Sequence, residues 1–364
     1  MHLGVEATKM AGDGRGIGRY VRQLLRQFAR LRPDLRVTLY TDGPAAADAR
    51  LRAELLAMGY GPDRGGVAKV RGLRSAPPEL AWYPWNKTKH FSRSPWMAVT
   101  IHDLAPFHFQ YRSWLKRGLQ RHIEKRFRET AARADLILTP SACSRADIIS
   151  ILGMPASKVT VTPLAADDFR PASGPPDYTG LASRFGIPRN YFLYVGVNEE
   201  RKNLARLREA FRQVHSGSGP QTALVICGSA APPGPPEPGV HWVGRVSEAE
   251  LRALYHAALA FVLPSLFEGF GLPLLEAMAS GTPVLCSRAA SLPEVAGEAA
   301  LYFDPLDVAA LADVMTRCLT DEALRLDLAR RGLAQARTFR WEETAQRTLA
   351  AFDDLLGGRP TPRS

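Results

Sequence analysis

Cysteine is scarce: four residues in 364, at positions 143, 227, 286 and 318. They are widely spaced and no C-x-x-C occurs, so neither a zinc ribbon nor a redox dithiol is expected. They read as reduced thiols of a cytoplasmic protein, three of them beside apolar residues and suited to core packing. Long apolar runs are also missing. The longest, near AALAFVLPSLF, is too short to span a bilayer. The start, MHLGVEATKMAGDG, has no basic segment followed by an apolar stretch, so no signal peptide is expected. There is no sequence repeat of short period.

What is present is an uneven charge. Residues 1–170 carry 28 Lys and Arg against 15 Asp and Glu, whereas residues 171–364 carry 19 against 21. A basic first half can face anionic lipid, a phosphorylated acceptor or nucleic acid. It can equally be a surface solubilised by arginine. The apolar content of 46% supports sizeable cores, and the length supports two domains.

Short apolar strands alternate with helical patterns. The first half has HLGVEA, RVTLYT, MAVTIHD, LILTPS and KVTVTPL, with helices such as GRYVRQLLRQFARL between them. A Pro-, Gly- and Ser-rich stretch over residues 168–190 has the composition of a linker. The pattern then restarts with YFLYVG, ALVICGS, VHWVG, LAFVLPS, PVLCS and ALYFDP. AAPPGPPEPG reads as a surface loop and WEETAQRTLAAFDDLL as a closing helix. Such alternation predicts two doubly wound α/β domains in tandem, with ligands at the carboxyl ends of their strands.

Near the start, GDGRGIGRY places Gly14, Gly16 and Gly18 at alternate positions. A dinucleotide fingerprint needs G-x-G-x-x-G. Counted from Gly14 the third site is Arg19, and from Gly16 it is Val21. The loop still opens a helix whose first N–H groups suit an anion or a sugar hydroxyl. A plain turn is the competing reading.

The densest stretch is PSLFEGFGLPLLEAMASGTPV, residues 264–284. A buried-type strand ends in a glycine turn, Pro273 suits the first helical residue, and Gly281 ends the helix. N–H groups near Gly271 and Leu272 would face a ligand with the helix dipole behind them. Glu268 and Glu276 bracket the turn and can accept hydrogen bonds from a polyol. Their competing readings are a solvated turn residue and a first-turn helix carboxylate.

This segment resembles the E-x(7)-E signature of retaining glycosyltransferases of family 4, and the sequel GTPVLCSRAASLPEVAGEAALYFDP continues the likeness. YVGVNEERKNLARLREAF and VHWVGRVSEAELRALYHAALAFVLPS resemble the family's preceding elements. GIGRYVRQLL and VTIHDLAPF resemble its mannosyltransferase-like branch. The resemblance implies a GT-B fold, two Rossmann-like parallel-sheet domains facing a central cleft. Residues 1–170 would form the acceptor domain and 171–340 the nucleotide-sugar domain. Residues 341–364 would form a helix returning toward the first.

It further implies roles. Arg201 and Lys202 would neutralise the donor diphosphate. Glu276 would hold the ribose hydroxyls. Glu268 would hold a hydroxyl of the transferred sugar, beside the backbone of Phe270, Gly271 and Leu272. Arg245 and Val246 would hold the base. Gly16 and Gly18 would approach the donor phosphates and the acceptor, and His102 would sit by the reacting sugar. Asp103 would be its partner or a helix cap, and Ser141 and Ser144 read as caps. No D-x-D occurs, which fits a metal-independent enzyme, with cations and helix N-termini in place of a divalent ion. No cofactor is expected. The reaction would transfer a sugar, with mannose from GDP-mannose foremost and UDP-glucose as the alternative, to a glycan or lipid-diphosphate-linked acceptor. A non-catalytic sugar-nucleotide binder, a nucleic-acid binder and an NAD-dependent dehydrogenase are the competing classes; nucleic acid is not an expected partner, for want of a binding motif.

Two stretches bear on the acceptor and on location. In RSWLKRGLQRHIEKRFRETAARAD, Leu115, Leu119, Ile123 and Phe127 fall on one helical face. Arg112, Lys116, Arg117, Arg121, Lys125, Arg126 and Arg128 crowd the rest, suiting an anionic membrane surface or a solvated face. In AWYPWNKTKHF, the rings of Trp82, Tyr83 and Trp85 can stack on an acceptor sugar or pack in a core. The location expected is the cytoplasm, peripheral at the inner membrane face.

Overall fold

Thirteen short strands run through a computed structural model that describes residues 1–10, 16–88, 90–109, 114–169, 178–218 and 222–358; the side chains of 114–117 and 218 are outside that description. The chain divides into two compact units, Met1–Leu164 with Trp341–Ser364, and Ala165–Arg340. The division lies before the proline–glycine stretch expected to hold it. That stretch also contributes structure, a single 3-10 turn at Asp167–Phe169 and a helix at Tyr178–Phe185.

The first unit holds β1 (His2–Glu6), β2 (Arg36–Thr41), β3 (Gly65–Lys69), β4 (Leu80–Tyr83), β5 (Trp96–Thr100), β6 (Leu136–Thr139) and β7 (Val159–Val161). They form one sheet in the order β3-β2-β1-β4-β5-β6-β7, with every pairing parallel. The sequence pattern had shown five of these strands. GGVAK, with two glycines and no apolar alternation, and LAWY, too short for a period, carry little local signal.

The second unit holds β8 (Asn190–Val195), β9 (Thr222–Cys227), β10 (Val240–Gly244), β11 (Ala260–Leu263), β12 (Val284–Ser287) and β13 (Ala300–Phe303), in the order β10-β9-β8-β11-β12-β13. All six match the apolar runs read from sequence. Central strands such as AFVL are buried along their whole length. A parallel sheet covered on both faces needs such continuous apolar runs rather than alternation. Phe192, Leu224, Val262 and Leu285 from the sheet meet Leu207, Phe211 and Met315 from flanking helices in its core.

Each sheet has one point where the strand order reverses, between β1 and β4 and between β8 and β11. Chain connections leave the sheet in opposite directions there, opening a crevice at the strands' carboxyl ends. The helix Ile17–Leu31 follows β1 and turns Tyr20, Leu24, Leu25 and Phe28 inward. The closing helix, Trp341–Gly357, packs against it through Phe28 and Phe352, with ring centroids 6.3 Å apart, and through an Arg32–Asp353 ion pair at 2.8 Å. Among the described residues, no helix is long and apolar enough to cross a membrane.

Candidate functional site

In the second unit, β8 ends at Val195 and β11 at Leu263, on either side of the switch point. The turn after β8 carries Arg201 and Lys202 in a short 3-10 segment, Glu200–Lys202, closed by Asn203 with φ 57°. A left-handed asparagine is uncommon and needs holding in place. Asn203 Nδ2 donates to Pro264 O at 3.0 Å and to Pro305 O at 2.7 Å, and Leu266 N donates to Arg201 O at 2.8 Å. These bonds lace the turn after β8 to the turn after β11.

The lacing brings Glu268 to both cations. Lys202 Nζ donates to its Oε1 at 2.6 Å and Arg201 Nη1 to its Oε2 at 3.3 Å. Ser265 Oγ donates to Oε1 at 2.6 Å, and Ser291 Oγ to the Glu268 carbonyl at 2.8 Å. Lys202 and Glu268 are 7% and 6% exposed, so this is a buried pair. Burial is the largest single influence on the Glu268 carboxyl and disfavours its charge. Lys202, Arg201 and the hydrogen bonds from Lys202 and Ser265 together outweigh it, and the carboxyl is held below its ordinary range. Glu268 is therefore ionised at neutral pH, and Arg201 Nε also donates to Glu199 Oε2 at 3.0 Å, so the two cations are matched by two carboxylates. The cluster can accept hydrogen bonds from hydroxyls while presenting cationic N–H groups to an anion.

Gly271 makes the turn possible. Its φ is 94°, and a Cβ there would lie 2.6 Å from Leu292 Cδ2. The helix Leu272–Ala279 starts directly after it, with Pro273 second rather than first. Phe270 is buried with its ring edge-on to Phe339, so its backbone rather than its ring belongs to the turn. Glu276 is the fifth residue of this helix, not a first-turn residue. It is 7% exposed, and its Oε2 accepts from Tyr255 Oη at 3.1 Å. Arg245 is exposed and Val246 buried, in the turn between β10 and a helix, Glu248–Ala257, that opens on a Ser247–Glu250 capping box.

The first unit gathers a different set at its own switch point. His102 follows β5 and is 9% exposed. Its Nε2 lies 3.1 Å from Pro84 O. A carbonyl only accepts, so Nε2–H donates and Nδ1 of the neutral ring is left as an acceptor. Burial lowers its pKa, against the raising effects of the Pro84 bond and of Asp103, so His102 is neutral at pH 7. The backbone around it is fixed by Asn86, which accepts from His102 N at 2.6 Å, and by Ser144 Oγ, which donates to His102 O at 3.2 Å. Ser144 is thus a buttress of His102 and not a cap. Ser141 is the cap, accepting from Ser144 N at 3.0 Å. Asp103 accepts from Ala105 N at 3.1 Å, ahead of the short helix Ala105–His108.

Tyr20 stands edge-on to His102 at 5.0 Å. It lies in the first turn of the helix that Gly16 opens with φ 59° and Gly18 continues as a buried residue. A Cβ on Gly16 would meet nothing within 4 Å, so its requirement is conformational. Gly14 lies outside the described residues. The aromatic stretch needs correcting: Trp82 and Tyr83 are 0% and Trp85 2% exposed. Trp82 Nε1 donates to Thr100 Oγ1 at 2.9 Å and Trp85 Nε1 to Glu6 O at 2.9 Å, so these rings are core and cannot stack on a sugar.

The basic helix spans Trp114–Arg133. Phe127 is buried and Ile123 packs beside it, but Leu119, expected on the same face, is 59% exposed. Gln120 is buried in its stead, donating to Pro106 O at 2.6 Å and Phe109 O at 2.8 Å. Arg121, Lys125 and Arg128 are exposed. Arg112 and the side chains of Leu115, Lys116 and Arg117 lie outside the description. Cys227, Cys286 and Cys318 are buried free thiols, and Cys143 is half-buried. Among the described residues, no group of three His, Cys, Asp or Glu is placed to hold a metal.

Sequence reasoning missed Tyr255, Ser265, Ser291 and Asn203. Ser265 and Asn203 lie within three residues of named charged groups, which is a usable signal. Tyr255 and Ser291 have none, because their contacts depend on how separate elements pack.

The comparisons agree with this geometry. Residues 14–168 match glycosyltransferase family 4 and residues 183–335 match glycosyl transferases group 1. The chain is 36% identical to the O-antigen chain mannosyltransferase B of Escherichia coli over 266 residues, 70% of this chain and 69% of that protein. It is 29% identical over 281 residues, 72% of its length, to the serotype-specific mannosyltransferase WbdA of E. coli, but spans only 34% of that longer protein. Among solved structures, Anabaena HepE in complex with UDP-glucose superposes with a TM-score of 0.75 at 17% identity, covering 97% of this chain and 99% of that one. WaaG, a glycosyltransferase involved in lipopolysaccharide biosynthesis, gives 0.69 at 19% identity, covering 98% and 100%. With two units of parallel sheet, a charged switch point and these likenesses across both halves, the chain belongs to the group 1, family 4 glycosyltransferases and has the GT-B fold.

Proposed function

We propose that this glycosyltransferase moves mannose from GDP-mannose to a hydroxyl of a glycan or lipid-diphosphate-linked acceptor, with retained anomeric configuration and without a metal ion. The observation that carries the reading is the buried Lys202–Glu268–Arg201 cluster at the second switch point. A departing nucleoside diphosphate gains negative charge as the glycosidic bond breaks. Two fixed cations and the N–H groups at Gly271 and Leu272 stabilise that charge without solvent reorganisation. Glu268, ionised among its partners, accepts from a hydroxyl of the transferred sugar, and Glu276 from the ribose. The base rests on the backbone of Arg245 and Val246. In the first unit, His102 is a neutral ring able to accept one hydrogen bond from a hydroxyl, and the helix that Gly16 and Gly18 open has N–H groups suited to an anion or a hydroxyl. The departing phosphate itself takes the acceptor proton, so no enzymic nucleophile is required.

Mannose as the donor sugar is supported by the names of the relatives above and by the MMP alpha-(1->4)-mannosyltransferase of Mycolicibacterium hassiacum, 31% identical over 236 residues. Attachment to the inner membrane face is supported by the exposed Arg121, Lys125 and Arg128 on one side of the basic helix. A thermal-shift panel of GDP, UDP, ADP, TDP and their sugars, with and without EDTA, tests the donor. A GDP- and GDP-mannose-selective shift that survives EDTA is expected. A UDP- or ADP-selective shift overturns the donor, and a shift lost in EDTA overturns metal independence. Salt-sensitive sedimentation with anionic vesicles is the corresponding test for the membrane.

A further inference from the structure

We infer that Tyr255 is a positioning residue for the donor nucleoside: its hydroxyl sets the plane of the Glu276 carboxylate and thereby the enzyme's demand for ribose hydroxyls. The inference rests on Glu276 being the ribose ligand. Glu276 is buried, and its Oε2 accepts from Tyr255 Oη at 3.1 Å across 21 residues of sequence. The last torsion of a glutamate is broad and nearly two-fold, so an unheld carboxylate samples many planes. A phenol donor on one oxygen removes that freedom. The remaining lone pairs then face a fixed direction, as recognition of a vicinal diol requires.

Tyr255 is itself held on every side. It is 0% exposed, its ring lying edge-on to Phe169 at 5.9 Å and to Phe261 at 5.5 Å. Its carbonyl accepts from Thr282 Oγ1 at 2.6 Å, and Thr282 N donates to Ala277 O at 3.0 Å. Tyr255 is therefore joined to the Glu276 helix twice, once through the two side chains and once through Thr282, three residues beyond the helix end. Upstream, Tyr191 Oη donates to Leu254 O at 2.7 Å, fixing the turn of helix that carries Tyr255. The same helix begins two residues after Arg245 and Val246, the proposed base-binding pair. One rigid element thus spans from the residues that would hold the base to the residue that orients the ribose ligand.

The test is Tyr255→Phe, which keeps the ring and its packing and removes only the hydroxyl. Isothermal titration compares GDP with 2′,3′-dideoxy-GDP, and UDP with its dideoxy counterpart, on wild type, Tyr255→Phe and Glu276→Gln. The variant is expected to lose about tenfold in affinity for the preferred ribonucleotide, the size of one hydrogen bond to a charged group, and nothing for the dideoxy form. Donor KM should rise in step while kcat stays within about twofold, and adding Tyr255→Phe to Glu276→Gln should cost nothing more. An equal loss for ribo and dideoxy forms makes Tyr255 merely structural, and no loss at all also overturns the proposal. Wild type that fails to discriminate the dideoxy forms overturns the ribose assignment of Glu276 itself. If Tyr255→Phe does not fold, Tyr255→3-fluorotyrosine, which keeps the ring and acidifies the hydroxyl, should change ribonucleotide affinity and leave dideoxy affinity alone; unchanged affinity refutes the inference.

Discussion

At the carboxyl ends of β8 and β11 the second unit buries a lysine, a glutamate and part of an arginine, each cation within 3.3 Å of the glutamate. At the carboxyl ends of β1, β4 and β5 the first unit buries mainly rings and hydroxyls, Tyr20, Trp82, Trp85, Thr100 and a neutral His102, with Glu6 and Arg19 buried beside them. Yet residues 1–170 hold the excess positive charge, and residues 171–364 are nearly balanced. The close-paired buried cluster thus lies in the half without the excess surface charge. Exposed arginines are screened and cost little wherever they stand. A buried cation needs a partner, and its presence marks a position where desolvation is being offset for a reason. The near-neutral half is the one that buries a directly paired lysine and glutamate at its switch point.

The largest break of this contrast should come from Lys202→Met. It leaves Glu268 buried with Arg201 as its remaining cation, so a loss of about 3–5 kcal/mol in stability is expected, with transfer reduced beyond detection. Denaturant unfolding and a donor-hydrolysis assay check both; a stable variant would mean that Glu268 had been protonated instead. In the first unit the equivalent experiment is Trp82→Phe. Loss of ring volume and of the bond to Thr100 should cost about 1–3 kcal/mol, with acceptor KM unchanged at permissive temperature. A raised acceptor KM with full stability would return the indole to the acceptor side.

Acid acts on both units next. The folded-state pKa of His102 lies below its ordinary 6.5, so its neutral form stabilises the fold above that value, and the contribution is lost as pH falls from 6.5 through the lower folded value. The folded-state pKa of Glu268 lies below its ordinary 4.5, so its contribution is whole above pH 4.5 and is lost as pH falls through the lower folded value. Burial lowers the pKa of His241 and His256 in the second unit as well, so both units should begin to weaken below pH 6.5, with Glu268 adding a later loss in the second below pH 4.5, read by tryptophan fluorescence and hydrogen exchange during acid titration. Full stability of the second unit down to pH 4.5 would overturn this expectation. The smallest effect is expected from Arg121→Gln with Lys125→Gln: both side chains are exposed, and stability should change by no more than about 0.5 kcal/mol while salt-sensitive vesicle binding falls.

The second sheet was readable because its strands are largely apolar runs, buried throughout in β9, β11 and β12, a signal independent of distant contacts. The first sheet was less so. Gly65–Lys69 is a strand because it pairs with β2 at the sheet edge, and nothing in GGVAK says so beforehand. The same limit explains the aromatic stretch: Trp82 and Trp85 satisfy their indole N–H groups on Thr100 and on Glu6, 18 and 79 residues away. Local sequence cannot distinguish a ring with such partners from one awaiting a sugar. Leu119 fails in the same manner, since the face a helix buries depends on which backbone carbonyls Gln120 finds nearby.

By itself, then, the sequence determined the alternation of strands and helices, the glycine turn before Leu272, the uneven surface charge and the family, because each is written in residue type and spacing over short distances. Tertiary structure alone decided that Arg201 and Lys202 share one carboxylate with Ser265, that Ser144 braces His102, and that Tyr255 holds Glu276. These are contacts among polar groups taken out of water. Each must find its partner wherever the chain has folded one into reach, and the free energy of leaving it unpaired, rather than any local propensity, selects which partner that is.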